Sequence, residues 1–256
     1  MSEILIVSGL DPSGGAGFLA DARVVHHHGM RAVGAISAQT EQTTRGVRAV
    51  HSPGAALLSA QLVELLGDVE VAAGKIGLLA DEDCAIAVSE ALEMTDAPMV
   101  WDPVLRASVG DMPLFRGDPR RALAHLRWHV AVITPNLDEA GALTGEVVGD
   151  AAAMRRAAAA IATENKLACL VKGGHLGGGR ALDVLALADG SVVDLEAERV
   201  PGGEDVHGTG CALSTAIACL LARGEDVATA VVGAAELVRE RLRAPVKVGR
   251  GRPSVL

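Results

Sequence analysis

Aromatic side chains are scarce in this sequence, which contains two Phe, two Trp and no Tyr among its 256 residues. A core built around aromatic rings is therefore excluded, and the core has to consist of Ala, Val, Leu and Ile. Half of the residues are hydrophobic, which is enough for one large globular domain in a chain of this length. We predict a single domain over residues 1–256.

Basic residues are fewer than acidic residues, and the formal net charge is −9. This balance excludes the broad positive surface with which proteins bind nucleic acids. An acidic protein that binds a phosphorylated ligand needs positive charge at one place only, which helix N-termini and metal ions can provide.

The four cysteines follow neither a C-x-x-C pattern nor the ligand spacing of a zinc site. A disulfide framework is not expected in a chain with so large a core. Near the N-terminus, the apolar stretch at residues 4–7 is too short for a signal peptide or a membrane span. We therefore predict a cytoplasmic protein that does not bind a membrane.

Short runs rich in Val and Ile alternate with longer stretches of helical period. The first six predicted strands are residues 4–7, 32–36, 72–76, 99–102, 130–133 and 168–172. The predicted helices are residues 17–28, 55–66, 81–94, 120–126, 137–143, 151–164, 211–222 and 227–242. This alternation predicts an α/β fold with a mainly parallel sheet and helices on both of its faces.

The alternation changes at one place, where two further strands, 182–188 and 191–195, flank Asp189-Gly190. Asp-Gly is a common two-residue hairpin signal. We therefore predict a β-hairpin at the edge of the sheet.

A glycine-rich tripeptide, Gly208-Thr209-Gly210, directly precedes the apolar helix predicted at residues 211–222. Its glycines allow several backbone N–H groups to point at one anion, and the helix dipole adds to this. A tight turn that only brings the helix close to the sheet is the alternative. Cys211 would lie in the first helical turn, where the dipole favours a thiolate and hence a base or nucleophile. Its alternative is a small buried hydrophobe.

Polar side chains follow three predicted strands: Asp102, the pair Asn136 and Glu139, and Lys172. Ligands of an open α/β sheet bind at the carboxyl ends of its strands. Together these residues offer carboxylate and amide groups for Mg²⁺ and its waters, and a lysine for phosphate charge. Each also has a structural alternative: a turn for Asp102, a helix cap for Asn136 and Glu139, and a solvated side chain for Lys172.

Neither the dinucleotide-binding G-x-G-x-x-G spacing nor the P-loop motif occurs in the chain. The glycine-rich turn at residues 9–21, bracketed by Asp11 and Asp21, is instead suited to lining a pocket for a small polar molecule. The run His26-His27-His28 is expected to be a solvated helix end, because adjacent helical residues point about 100° apart and cannot easily share one metal ion.

Six motifs occur in an order that resembles one family: GLDPSGGAGFLAD (9–21), TRGV (44–47), KIGLLAD (75–81), ITPNLDEA (133–140), VKGGH (171–175) and HGTGC (207–211). On these motifs the chain resembles the hydroxymethylpyrimidine/phosphomethylpyrimidine kinases of thiamin biosynthesis, within the ribokinase-like superfamily. The resemblance extends to the glycine-rich segment VGRGRPSV at residues 248–255.

The resemblance implies a three-layer α/β/α sandwich and a homodimer. It further implies ATP-dependent, Mg²⁺-assisted phosphorylation of 4-amino-5-hydroxymethyl-2-methylpyrimidine and then of its monophosphate. Cys211 takes the place of the aspartate base of most ribokinase-like enzymes, and Gly208 and Gly210 hold the transferring phosphoryl group. A loose transition state needs mainly positioning and charge, so a weak base is sufficient.

For the substrate, the resemblance implies that Gln42 pairs with the aminopyrimidine, since an amide offers both an acceptor and donors. The other residues expected near the substrate are Gly9, Asp11 and Asp21. Those expected to bind ATP and its phosphates are Asn136, Glu139, Lys172 and Thr209. Glu139 and Asp102 are expected to hold the metal through water.

One segment departs from the family, which commonly has Ala-Lys-Ser-Gly or Ala-Thr-Ser-Gly where this chain has RASVG (106–110). Arg106 is a candidate for the missing charge. The nearest alternative function is a pyridoxine/pyridoxal kinase, since relatives of that kind share HGTGC. A non-catalytic pyrimidine or nucleotide sensor is disfavoured because the metal and phosphate residues are all present, and a sugar kinase is disfavoured by cysteine at position 211.

Overall fold

The computed structural model of the chain describes residues 2–107, 112–174 and 179–255. Within them the strands are β1 (Glu3–Leu10), β2 (Arg31–Thr43), β3 (Gly46–His51), β4 (Ala73–Ile76), β5 (Met99–Trp101), β6 (Val130–Ile133), β7 (Ala168–Lys172), β8 (Arg180–Ala186) and β9 (Val192–Glu198). The helices are α1 (Gly17–His27), α2 (Ala55–Asp68), α3 (Glu82–Leu92), α4 (Pro119–Leu126), α5 (Leu137–Thr144), α6 (Ala151–Asn165), α7 (Thr209–Leu221) and α8 (Val227–Leu242).

The strands form one sheet in the order β3-β2-β1-β4-β5-β6-β7-β8-β9. From β2 to β7 all neighbours are parallel, as predicted. The remaining pairs, β2–β3, β7–β8 and β8–β9, are antiparallel. The hairpin of β8 and β9 therefore lies at one edge of the sheet, as predicted.

Two hydrophobic cores lie on the two faces of the sheet. Along β1, Leu5 and Val7 belong to the core covered by α2 to α6, whereas Ile4 and Ile6 belong to the core covered by α1, α7 and α8. Alternate residues of a strand point to opposite faces, so a continuous apolar run is what a central strand of a three-layer fold requires. This arrangement confirms the predicted α/β/α sandwich.

Aspartates begin four of the helices. Asp81, Asp118, Asp150 and Asp226 each accept a hydrogen bond from a backbone N–H of the first turn of α3, α4, α6 and α8. Such caps satisfy donors that have no partner within the helix. The histidines 26–28 end α1, with His28 as its C-cap. His26 and His27 are exposed, as predicted, whereas His28 is half-buried.

The sequence prediction of one change in the pattern is wrong, because a second hairpin closes the opposite edge of the sheet. β2 continues to Thr43, beyond the predicted end at residue 36, and pairs with β3 across the turn at Thr44 and Arg45. The polar run 39–45 gives no strand signal in the sequence, and beyond Gln39 this part of β2 pairs only with the edge strand β3.

Two boundaries also differ from the prediction. The loop between β8 and β9 is longer than two residues, because Leu187 N donates to Ser191 O and Gly190 has a φ of +88°. α7 begins at Thr209, so Gly210 lies inside its first turn.

Ser108, Val109 and Gly110 of RASVG and His175 of VKGGH lie outside the described residues. None of the helices in the described part of the chain combines the length and hydrophobicity that crossing a bilayer requires.

Candidate active site

A cleft of about 1020 Å³ lies at the carboxyl ends of the parallel strands. Of the residues that the sequence places in a site, those that line the cleft are Gly9, Asp11, Gln42, Asp102, Asn136, Glu139, Lys172, Gly208, Thr209, Gly210 and Cys211. Arg106 lines it as well, with an exposed side chain. Asp21 does not line the cleft, so its expected place beside a substrate is wrong.

Asp102 and Lys172 form an ion pair in this cleft, with 2.8 Å between Oδ1 and Nζ. Burial alone would raise the pKa of Asp102, but the charges of Lys172 and then Lys75 lower it below its ordinary value. Burial likewise opposes the charge of Lys172, whose pKa is nevertheless raised by Asp102 and Glu139. Lys172 is therefore a charged and fixed side chain, and the alternative of a solvated lysine is wrong.

Asn136 and Glu139 begin α5 with a reciprocal capping box. Asn136 Oδ1 accepts from Glu139 N at 2.9 Å, and Glu139 Oε2 accepts from Asn136 N at 2.8 Å. The alternative role of this pair as a helix cap is thus confirmed, and both residues still face the cleft. Burial, which is opposed by Lys172 and reinforced by the negative charge of Asp102, raises the pKa of Glu139 to about 7.

The turn before α7 depends on glycine. Gly208 is the N-cap with φ +84°, and a Cβ on it would lie 2.0 Å from the carbonyl oxygen of Gly15. A Cβ on Gly210 would lie 3.2 Å from Lys172 Nζ and 3.6 Å from Asp102 Oδ2. The N-terminus of α7, whose first backbone N–H groups have no partner within the helix, therefore faces the same point as the Lys172 ammonium.

Cys211 is the third residue of α7 and is only partly buried, unlike the other three cysteines. Burial raises the pKa of its thiol to about 11, although Lys75 lowers it in part; Asp21 and Asp102 raise it further. The expectation of a favoured thiolate is therefore wrong, because loss of hydration outweighs the positive groups nearby. Cys169 and Cys219 are buried small side chains, as expected.

Lys75 is a residue that sequence reasoning missed. It lies on β4 with a fully buried side chain, and its Nζ is 2.7 Å from Asp21 Oδ2 and 3.3 Å from Ser8 Oγ. The other carboxylate oxygen of Asp21 accepts from Thr215 Oγ1 of α7 at 2.8 Å. Asp21 therefore stabilises a buried cation beneath the cleft. The feature of the sequence that could have revealed this residue is a lysine inside a four-residue strand that is otherwise apolar.

At the other end of the cleft, Asp11, Gln42 and His207 lie together. Asp11 accepts from Ser13 N at 2.8 Å, and His207 Nε2 lies 3.3 Å from Asp11 Oδ2. Gln42 Nε2 lies 3.3 Å from His207 Nε2, and Gln42 Oε1 lies 3.1 Å from Thr40 Oγ1. Sequence reasoning found Asp11 and Gln42 but assigned no role to His207, although it lies in the HGTGC motif.

Among the described residues, no three His, Cys, Asp or Glu side chains cluster closely enough to hold a metal ion by themselves. Asp102 and Glu139 are nevertheless close enough that the charge of Asp102 raises the pKa of Glu139. Two neighbouring carboxylates beside a cleft suit a cation that keeps most of its water ligands.

The same architecture occurs in solved kinases, and it defines the class of this protein as a ribokinase-like kinase. A pyridoxal kinase from Staphylococcus aureus in complex with AMP-PCP has a TM-score of 0.88 and 25% sequence identity, over 99% of this chain and 92% of that one. A phosphomethylpyrimidine kinase from Clostridium difficile has a TM-score of 0.77 and 28% identity, over 94% of this chain and 99% of that one.

The sequence comparisons specify the family. The sequence profile described as phosphomethylpyrimidine kinase matches residues 11–255. The hydroxymethylpyrimidine/phosphomethylpyrimidine kinase of Rhizobium meliloti is 39% identical over 255 residues, which cover 98% of this chain and 95% of that protein. The chain belongs to the phosphomethylpyrimidine kinase family.

Proposed function

We propose that this protein transfers the γ-phosphoryl group of ATP to 4-amino-5-hydroxymethyl-2-methylpyrimidine and then to the resulting monophosphate, in thiamin biosynthesis. Membership of the family supports this substrate class. The observation that carries the proposal is that the Lys172 ammonium and the start of α7 face one point in a cleft that also holds the Gln42 amide.

Lys172 and the backbone N–H groups at the start of α7 would bind the transferring phosphoryl group. The acceptor oxygen forms a bond to the γ-phosphorus while the bond to the bridging oxygen breaks and ADP leaves. Charge spreads over the peripheral oxygens during this step, so fixed donors and a lysine stabilise the transition state. The small residues Gly208, Thr209 and Gly210 allow the phosphoryl group to approach the helix.

Asp102 and Glu139 would hold Mg²⁺ through its water molecules, with the Asn136 amide nearby. When bound, the ion neutralises phosphate charge. Glu139 has a pKa of about 7, so a divalent cation beside it favours the ionised carboxylate and relieves its repulsion by Asp102.

Cys211 would accept the proton of the alcohol in the first phosphorylation, which requires that its thiol first lose a proton to solvent. With a pKa of about 11 this costs free energy at neutral pH, so positioning and charge carry most of the catalysis. The monophosphate acceptor is already anionic and needs no such base.

Gln42 would bind the ring, with Gly9 and Asp11 beside it in the wall of the cleft. An aminopyrimidine presents a ring nitrogen next to an exocyclic amine, which together match the donor and acceptor of one amide. A buried polar group without a partner costs roughly 1–3 kcal/mol, which corresponds to a ten- to hundredfold preference between rings.

The second candidate is a pyridoxal kinase, favoured by the high structural similarity to the S. aureus enzyme. One experiment separates the candidates: ATP consumption measured in parallel with hydroxymethylpyrimidine, its monophosphate, pyridoxine and ribose. The proposal requires the two pyrimidines to give the highest kcat/KM. Gln42→Leu should then lower the ratio of kcat/KM for hydroxymethylpyrimidine to that for pyridoxine, and leave the KM for ATP nearly unchanged.

The proposal includes a cytoplasmic homodimer made of one domain per chain, on the basis of the family resemblance. Sedimentation equilibrium of the purified protein tests the dimer, because a single species at twice the mass of the chain is expected.

A further inference from the structure

Among the polar neighbours of His207 Nε2 in the cleft are Asp11 Oδ2 and Nε2 of the Gln42 amide, each at 3.3 Å. A carboxylate oxygen can only accept, so this ring nitrogen has to carry a hydrogen to interact favourably with Asp11. A protonated nitrogen cannot accept from an amide NH₂ group. The contact with Gln42 is therefore favourable only when the amide turns its oxygen towards His207.

Thr40 imposes the same orientation from the other side. Its hydroxyl faces two acceptors, Leu10 O at 2.8 Å and Gln42 Oε1 at 3.1 Å, and its single hydrogen satisfies the nearer one, Leu10 O. Once the hydrogen is given to Leu10 O, this hydroxyl can only accept from the Gln42 amide. The structure places the amide oxygen beside Thr40 and the amide nitrogen beside His207. This orientation brings an acceptor against an acceptor at Thr40 and a donor against a donor at His207. The hydrogen-bonding requirements of both neighbours favour the reverse, with the nitrogen beside Thr40 and the oxygen beside His207.

The His207 ring is fixed on several sides, which makes it suited to setting an orientation. Its backbone N–H donates to Pro253 O at 2.8 Å, and its carbonyl accepts from Val255 N at 3.0 Å. A Cβ on Gly15 would lie 2.8 Å from His207 Cδ2, so the ring packs directly against that glycine. Asp11, which faces the ring nitrogen, is itself held by the N–H of Ala16 at 3.1 Å.

We propose that His207 is a specificity-determining positioning residue, which fixes the Gln42 amide with its oxygen on the His207 side and its nitrogen on the Thr40 side. This inference rests on the proposed function, in which Gln42 reads the ring. The cleft then presents an acceptor and a donor in a fixed order. An aminopyrimidine binds with its amino group on the His207 side and its ring nitrogen on the Thr40 side.

The test is a double-mutant cycle between positions 207 and 42, with kcat/KM measured for hydroxymethylpyrimidine and for the analogue that lacks the 4-amino group. His207→Leu removes the donor, and we expect it to lower kcat/KM for the full substrate roughly ten- to hundredfold, mainly through KM. The loss should be smaller for the deamino analogue. His207→Gln should recover most of the activity, because its amide N–H reaches the position of Nε2.

Coupling is the readout that a merely structural role would not produce. Once Gln42→Leu is present, adding His207→Leu should cost little more, so the two losses should not multiply. The KM for ATP and the thermal midpoint of each variant provide the controls for the nucleotide site and the fold.

Two outcomes separate this inference from the proposed function. If the wild type does not phosphorylate the pyrimidine, or Gln42→Leu costs nothing, the proposed function is wrong and the inference is wrong with it. If Gln42→Leu is costly but the two losses multiply, or His207→Leu costs the full substrate and the deamino analogue equally, only the inference is overturned.

Discussion

Lys75 and Asp21 form an ion pair in which neither side chain is exposed to solvent, with 2.7 Å between Nζ and Oδ2. The pair joins β4 to α1, and the bond from Thr215 to Asp21 adds α7. Thr215 lies four residues after Cys211, hence on the same face of that helix. The buried pair therefore connects the middle of α7 to β4 in the sheet.

Lys75→Met should destabilise the protein strongly, because it leaves the Asp21 carboxylate buried without its cation. Breaking a buried pair in this way typically costs about 3–5 kcal/mol of unfolding free energy. The measurement is urea denaturation followed by circular dichroism. The double variant Lys75→Met/Asp21→Leu removes both charges and should recover much of the loss. Equal destabilisation of the single and double variants would show that packing, and not the unpaired charge, dominates.

Glu139 should make stability depend on pH. Its pKa of about 7 in the folded state lies above the ordinary value of 4.5, so the folded protein binds this proton more tightly than the unfolded chain. Its contribution is therefore complete below about pH 4.5 and is lost as the pH rises through about 7. Denaturation without Mg²⁺ should show a smaller decline of stability over this window for Glu139→Gln than for the wild type.

The same variant tests the metal assignment. Glu139→Gln should weaken the dependence of turnover on Mg²⁺ concentration and lower kcat while the fold is retained. An unchanged Mg²⁺ titration would remove Glu139 from the metal site, whatever its effect on stability.

Cys211 should give the two phosphorylations different pH profiles. Below the pKa of about 11, the thiolate fraction rises about tenfold for each unit increase in pH. The rate on the alcohol should therefore rise with pH above neutrality. The rate on the monophosphate should not follow this rise. Cys211→Ala should abolish the slope and lose at least about tenfold more on the alcohol than on the monophosphate. A flat profile on the alcohol in the wild type would mean that Cys211 shapes the cleft and is not the base.

Gly208 and Gly224 provide a matched pair for testing the turn before α7. Both have a left-handed φ, of +84° and +85°, but nothing lies within 4 Å of a Cβ on Gly224. Gly224→Ala should therefore cost only the backbone strain, about 1–2 kcal/mol, and retain activity. Gly208→Ala should cost more, because its methyl group meets Gly15 O, and should abolish phosphoryl transfer. Similar urea midpoints and similar kcat values for the two variants would contradict the role of this turn.

The parallel part of the fold could be predicted because each central strand faces two cores. Runs such as residues 4–7 and 130–133 must be apolar on both sides, and the helices between them have a clear period. The hairpin of β2 and β3 has no such requirement. Its residues 39–45 are all polar, and no periodicity indicates a strand there.

The site was predictable as far as residue type and the ends of strands determine it. Asp102, Asn136, Glu139 and Lys172 each follow a recognisable strand, and the sheet brings them to one edge. What could not be predicted is which aspartate faces the cleft. Asp21 is close to other site residues in the sequence, but its side chain points into the interior. There it pairs with the buried Lys75, which lies 54 residues later in the chain. A protonated Cys211 also depends on burial, which only the packed structure determines.

The contact of His207 with Asp11 joins parts of the chain that are 196 residues apart, and its backbone is held by Pro253 and Val255. During synthesis the glycine-rich turn leaves the ribosome long before its partner, at about 5–20 residues per second. The end of the cleft that holds Asp11, Gln42 and His207 is therefore incomplete until nearly the whole chain has emerged. The last strand ends at Glu198, so we expect a product truncated before Pro253 to form the sheet and still to be inactive. Recovery of activity on refolding would then report completion of these last contacts and not formation of the sheet.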